Sequence, residues 1–263
     1  MAVITVLSAK GSPGVTTATI ALTMAWSGVH PGRSAVVIDA DPIGGDSAAG
    51  VLRGAAPAQA GMLSLATSRG LDPIQALDAA SVHLRADGSA RLVPGVPDLD
   101  RAPALILAWD ALADLRTGGA DLAIDLFVDA GRADRLGDDS PWLQERDLAL
   151  LLVRPTLPAV TAAHRLVARW PGPTDGMYAV VVDAPSPYSA GEVADAVGLG
   201  LAGTLAFDDL AARVHSQGAA PGRAFERSEY VRSVRRLAGT LGTLITDADS
   251  PLASDSDASE ACA

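Results

Sequence analysis

A β-branched apolar run that breaks into a glycine-rich turn and then into a helical pattern constrains this chain more than anything else in it. Residues 2–7 form the run, and the turn reads Ala9-Lys10-Gly11-Ser12-Pro13-Gly14-Val15-Thr16-Thr17. Residues 16–26 then place Ile20, Ala21, Met24 and Ala25 on one helical stripe. A strand that ends in glycine and feeds a helix N-terminus makes an anion site. The turn's N–H groups point inward and the helix dipole adds positive character. Lys10 is the only lysine of the sequence, the other basic side chains are arginine, and asparagine is absent. An ammonium in such a turn acts as a compact point charge, where a guanidinium is a wide planar fork.

The alternation continues. Residues 35–38 read as a second buried strand ending in Asp39-Ala40-Asp41-Pro42, which opens a parallel α/β sheet. Further strands are expected at 90–93, 122–128, 148–153, 178–182 and 203–207. Helices are expected at 61–69, 73–79, 104–115, 158–169, 191–197 and 228–245. In the last of these Tyr230, Val234, Leu237, Leu241 and Leu244 recur on one face. That face predicts packing on the sheet rather than on a membrane, because the acidic stretch that follows would be repelled by anionic lipid. Residues 247–263 hold no basic residue and read as a disordered acidic tail. The expected organisation is one domain over 1–246, a mainly parallel sheet with helices on both faces.

The formal net charge is −11, which opposes non-specific binding to nucleic acid or anionic lipid. Cys262 is the single cysteine, so no intramolecular disulfide forms, and the four histidines are scattered, which argues against a zinc or iron site. The N-terminus lacks a secretory pattern, and no segment reaches the roughly eighteen apolar residues of a membrane span. The chain therefore reads as soluble and cytoplasmic.

Against the phosphate-loop pattern G-x-x-x-x-G-K-[ST], Gly14 is the last glycine, Val15 falls in the lysine slot and Thr16 in the Mg²⁺ slot. A lost charge-assisted contact is worth roughly 1.5–3 kcal/mol, so triphosphate affinity should drop by about one to two orders of magnitude. Asp39 and Asp41 close a strand at the end of the sheet where ligands bind, and Asp129-Ala130-Gly131-Arg132 closes another. Arg132 has two readings: a substitute for the charge missing at Val15, or an ion pair with Asp134 or Asp138. Asp46 reads as a helix cap before Ser47. Asp125, inside a buried strand, needs a partner or solvent.

These motifs together resemble the MinD/ParA family, whose deviant Walker A loop is K-G-G-x-G-K-[ST]-[ST]. Lys10, Gly11, Gly14, Thr16 and Thr17 match it, Pro13 sits at the variable position, and Ser12 and Val15 depart from it. The resemblance spans about residues 1–245 and is weak between roughly 51 and 120. It implies ATP with Mg²⁺ in the loop, leaving GTP open, and Lys10 reaching the phosphates of a facing subunit in a homodimer. It implies that Asp39 and Asp41 order Mg²⁺ water and the attacking water, and that Asp129 and Thr16 serve the metal. The strand ending at Asp183 is similar to the one whose asparagine reads adenine. An ionised Asp183 satisfies only half of adenine's edge and suits guanine better; alternatively, in a chain without asparagine, Asp183 contacts no base. The function so implied is a nucleotide switch acting as a dimeric organiser or scaffold with weak or no hydrolysis. The alternatives are an active partitioning-type ATPase and a nucleotide-free adaptor; no particular protein partner is legible.

Overall fold

Strands with uninterrupted apolar runs become the interior of the sheet, as burial on both faces requires. The computed structural model describes residues 1–249 except 11–12, 44, 69, 119–121, 136–139, 171 and 184–187, and gives backbone alone for 114, 117, 118, 183, 248 and 249. Among the described residues the strands are β1 (Val3–Ser8), β2 (Ser34–Asp39), β3 (Val82–His83), β4 (Ala90–Val93), β5 (Ile124–Arg132), β6 (Leu148–Val153), β7 (Met177–Asp183) and β8 (Gly200–Ala206). Their order is β3-β4-β2-β5-β1-β6-β7-β8. Every neighbouring pair is parallel except β3 with β4, at one edge.

The helices are α1 (Val15–Val29), α2 (Met62–Ala66), α3 (Pro73–Ala80), α4 (Ala104–Gly118), α5 (Pro141–Gln144), α6 (Leu157–Val167), α7 (Ala190–Val197), α8 (Asp209–Ser216) and α9 (Glu229–Asp249). Alternate strand residues sort them into two layers. Ile4, Val6, Phe127 and Leu150 meet Leu22, Trp26, Val234 and Leu237 of α1 and α9. Val36, Ile38, Leu126 and Val128 meet Met62, Leu77, Leu105 and Leu112 of α2, α3 and α4. Leu7, Leu151 and Val181 meet Ala163, Val193 and Val197 of α6 and α7. Helix α9 therefore packs on the sheet, as its apolar face predicts, and no described helix is long and apolar enough to cross a membrane.

Several boundaries differ from the sequence reading. Strand β5 runs on to Arg132, so Asp129 sits inside it rather than after it. Helix α9 continues to Asp249, past the boundary expected at 247, and the rest of the expected tail lies outside the described residues. Helix α8 is not foreseen because it buries only Ala211 and His215 and leaves Leu210 exposed.

The chain leaves β1 through α1 and returns at β2, with β5 later filling the position between them. After β5 it crosses to β6 on the other side of β1. The loops leaving β1, β2 and β5 thus gather at a switch point, where open α/β sheets bind ligands.

At the opposite end of β5, Asp125 is fully buried and fully used. It accepts hydrogen bonds from the Ala2 N–H (2.8 Å), the Trp26 indole (2.7 Å) and both Nε (2.6 Å) and Nη2 (2.5 Å) of Arg33. Burial by itself would raise its pKa, but these donors outweigh burial and hold it below the ordinary 3.8. Asp125 ties the N-terminus, α1 and the turn before β2 to one point.

Replacing Asp125 with alanine strands the Ala2 and Trp26 N–H groups, while the half-exposed Arg33 can turn to water. We expect a loss of about 2–4 kcal/mol in urea unfolding. The depressed pKa also sets a sign. The carboxylate's contribution is complete above 3.8 and is lost as pH falls through the lower folded value. The Asp125→Ala protein should lack that part of the acid-limb decline; an unchanged decline would show that Asp125 does not produce it.

Candidate functional site

Helix α1 starts at Val15 behind Gly14, whose φ of 92° and ψ of 42° fall in the left-handed region that suits glycine. Gly14 offers no capping side chain and the first turn of α1 holds no acid, so the leading N–H groups remain open to a ligand. They face a cavity of about 380 Å³ whose walls include Ser8, Gly14, Val15, Thr16, Thr17, Asp41, Asp46, Ser47, Gly131, Arg132, Arg135 and Ser216. Loops from three adjacent strands thus close one pocket around the N-terminus of a fifteen-residue helix.

Two carboxylates lie under this pocket side by side. Asp39 and Asp129 are directly paired across β2 and β5, and both are fully buried. Burial raises the pKa of each, and each is pushed further by acid neighbours: Asp41 beside Asp39, and Asp39 then Asp41 beside Asp129. The donors present only partly offset this. The Ser47 hydroxyl donates to Asp39 Oδ2, and the Gly131 N–H donates to Asp129 Oδ1 at 3.0 Å. Thr16 is near enough to lower the pKa of Asp129 without completing a hydrogen bond to Oδ2. Asp39 Oδ1 and Asp129 Oδ2 are buried without a hydrogen-bond partner.

Glycines make the arrangement sterically possible. Asp39 is pressed between Gly45 and Gly95; a Cβ at Gly95 would stand 2.8 Å from its Cγ, and one at Gly45 would overlap its carboxylate. Gly131, at φ 58°, leaves the same room for Asp41. Neither Gly45, Gly95 nor Ser47 is singled out by the sequence alone, since each acts through a close approach that no spacing pattern announces.

These groups suit a hard divalent cation. Unpartnered carboxylate oxygens and a threonine hydroxyl are the right donors for Mg²⁺. Among the described residues no three acid or imidazole groups could enclose an ion by themselves, so phosphate and water oxygens would complete the shell.

The other expected site residues are placed as follows. Val15 is 6% exposed and belongs to the apolar core on the α1 side, so the lysine slot presents an apolar wall. Pro13 is buried, while Lys10 is exposed and lies outside the cavity wall. Arg132 faces the cavity, but its Nε and Nη2 are engaged by Asp134 at 3.1 and 2.6 Å, the ion-pair reading of that residue. No helix begins at Ser47, so Asp46 caps none; it lies exposed on the cavity wall. Gly11, Ser12 and Asp138 fall outside the described residues, as does the side chain of Asp183, whose backbone ends β7.

Asp39 and Asp129 titrate above the ordinary 3.8, to about 6 and about 8. The folded chain then holds protons that the unfolded chain has released, so stability falls as pH rises through that window. Asp129→Asn should stabilise the ligand-free protein at alkaline pH by about 1–3 kcal/mol, the scale of an unsatisfied buried group. It should also flatten the decline. A less stable variant in thermal unfolding at alkaline pH would mean that the carboxylate is already compensated.

No family model matches the sequence and no curated protein does. Solved structures are similar over nearly the whole chain. A ParA family ATPase from Chlorobium tepidum superposes with a TM-score of 0.70 at 17% identity, over 90% of this chain and 97% of that one. The septum site-determining protein MinD of Pyrococcus horikoshii, complexed with Mg-ADP, gives 0.69 at 16% identity, over 95% and 99%. A plasmid partition protein from Borrelia burgdorferi, bound to AMPPNP, gives 0.64 at 11%, over 92% and 98%. At 11–17% identity this likeness speaks to the fold: this chain has the MinD/ParA fold, an eight-stranded, mostly parallel sheet with helices.

Proposed function

We propose that this chain is a nucleotide switch with an atypical phosphate loop. It takes a nucleoside triphosphate with Mg²⁺ into the cavity, pairs with a second copy through that face, and hydrolyses slowly or not at all. It then works as a dimeric spatial organiser or scaffold. The observation that carries this reading is an uncapped helix N-terminus facing a cavity, with two buried carboxylates nearby that each keep one oxygen without a hydrogen-bond partner. An anion alone would leave the carboxylates unbalanced, and a cation alone would leave the helix N–H groups unused. A metal–polyphosphate satisfies both. The similar MinD and partition proteins are complexed with Mg-ADP and AMPPNP, which favours the same ligand class here.

In this reading the N–H groups that open α1 hold the phosphates, with Gly11, Ser12, Pro13 and Gly14 shaping the turn. Thr16, Asp39 and Asp129 hold the metal's oxygen shell, which when filled supplies positive charge to the phosphate oxygens. Asp41 orients the attacking water, and Asp183 stands at the base end of the site. Lys10 points out of its own cavity towards the phosphates of the facing copy. Val15 contributes no charge, which accounts for weak binding and slow turnover. The net charge of −11 disfavours DNA as the partner of such a dimer.

Titration of the full chain with Mg-ATP and Mg-GTP, following affinity, phosphate release and oligomer size together, tests the reading. We expect binding with dimer formation and slow release. Lys10→Ala should prevent the dimer while the monomer still binds, and Asp41→Ala should remove residual turnover. Val15→Lys should raise affinity about tenfold or more, its stem lying along the apolar wall with the ammonium in the cavity. Absence of binding at millimolar nucleotide would end the proposal.

A further inference from the structure

The cavity is short of positive charge for the ligand it is shaped to take. Asp41 and Asp46 stand on its wall, and Asp39 and Asp129 lie beneath. Among the described residues only two cations face it, Arg132 and Arg135. They are not equivalent. Arg132 has its fork filled by Asp134 and offers the cavity little net charge. Arg135 ends the short turn Ala133–Arg135, is exposed, and makes no ion pair or hydrogen bond among the described residues. The helix position that would ordinarily supply a lysine is Val15, which gives the cavity an apolar wall and no charge.

We infer that Arg135 is the phosphate ligand that replaces the charge missing at Val15. The inference rests on the reading above that a nucleotide occupies the cavity. Its guanidinium can grip two phosphate oxygens at once, which an ammonium cannot. Its direction of approach also differs from that of a helix-borne lysine. The turn carrying Arg135 follows Gly131, which lies against Asp41, whereas the open N–H groups belong to Gly14 and α1. Those N–H groups cradle the inner phosphates, so a cation arriving with the β5 loop meets the terminal one. Arg135 is therefore a specificity residue that separates a triphosphate from a diphosphate. A lysine at the start of α1 would hold both more evenly.

The test is equilibrium binding of Mg-ATP and Mg-ADP to the full chain and to Arg135→Ala, Arg135→Lys and Val15→Lys/Arg135→Ala. Arg135→Ala should weaken Mg-ATP about tenfold or more, the scale of one charge-assisted contact, and Mg-ADP clearly less. Arg135→Lys should keep part of the affinity, and the double variant should recover Mg-ATP binding while holding ADP nearly as well. Because Arg135 is exposed, an unchanged melting temperature verifies that the fold is intact. Mg-ATP affinity equal to wild type in Arg135→Ala, or equal losses for ATP and ADP, would overturn the inference while the nucleotide site stands. A wild-type chain that binds neither nucleotide would remove the site itself, and the inference with it.

Discussion

Two acids forced side by side in the middle of a parallel sheet organise this molecule. Asp39 and Asp129 occupy paired positions on β2 and β5, a strand spacing of about 4.8 Å apart, with water excluded. When both are ionised they are like charges opposite one another, which weakens a sheet, and burial compounds the cost, so both are held above the ordinary carboxylate range. The contrast lies on the same strand. Asp125, four residues earlier and facing the same α1 layer, collects four donors and strengthens the fold. Asp129 collects one backbone donor and keeps an oxygen unpartnered. One end of β5 adds to the fold's stability; the other carries an acid that the fold leaves only partly satisfied.

The groups around the pair support that division. Glycines at 45, 95 and 131 bring backbone against the carboxylates where any side chain would collide. Glycine weakens a fold through the freedom it loses, so three of them around two repelling acids make a costly corner. Such corners concentrate where a ligand balances them. On the proposed reading the balance would come from a cation bound with the ligand, while the helix N–H groups would meet the ligand's anionic end. The helix N-terminus stays open at the cavity while the position that the sequence assigns to a loop lysine carries valine.

The sheet was legible because its signal is local. A continuous apolar run marked β6 to the residue, and the turn chemistry at Gly14 marked the start of α1. Long-range pairings were not legible. Asp125 announced a need for a partner, but Arg33 lies far off in sequence and meets it only because β2 and β5 are neighbours. Helix α8 carries too few buried residues to show a stripe, and its His215 is held instead by Tyr230 of α9 at 3.0 Å. The ambiguity over Arg132 was local: it pairs with Asp134 two residues on while still lining the cavity. Arg135, three residues beyond Arg132, drew no attention because an exposed arginine has no pattern of its own.

The position of charge decides what kind of switch such a site can be. A lysine at the head of α1 would be fixed to a rigid helix that is buried along the sheet. A guanidinium on the turn after β5 is carried by a segment that also holds Asp129 and Gly131, and Gly131 in turn touches Asp41. On the proposed reading, a phosphate that draws on this arginine would also act on the acids carried beside it. Affinity and acid geometry are then linked through a single short stretch of backbone, whereas a helix-borne lysine would keep them apart. Such a site, on the proposed reading, would trade raw phosphate affinity for sensitivity to what sits at the end of the phosphate chain, as a slow, ligand-set scaffold would need.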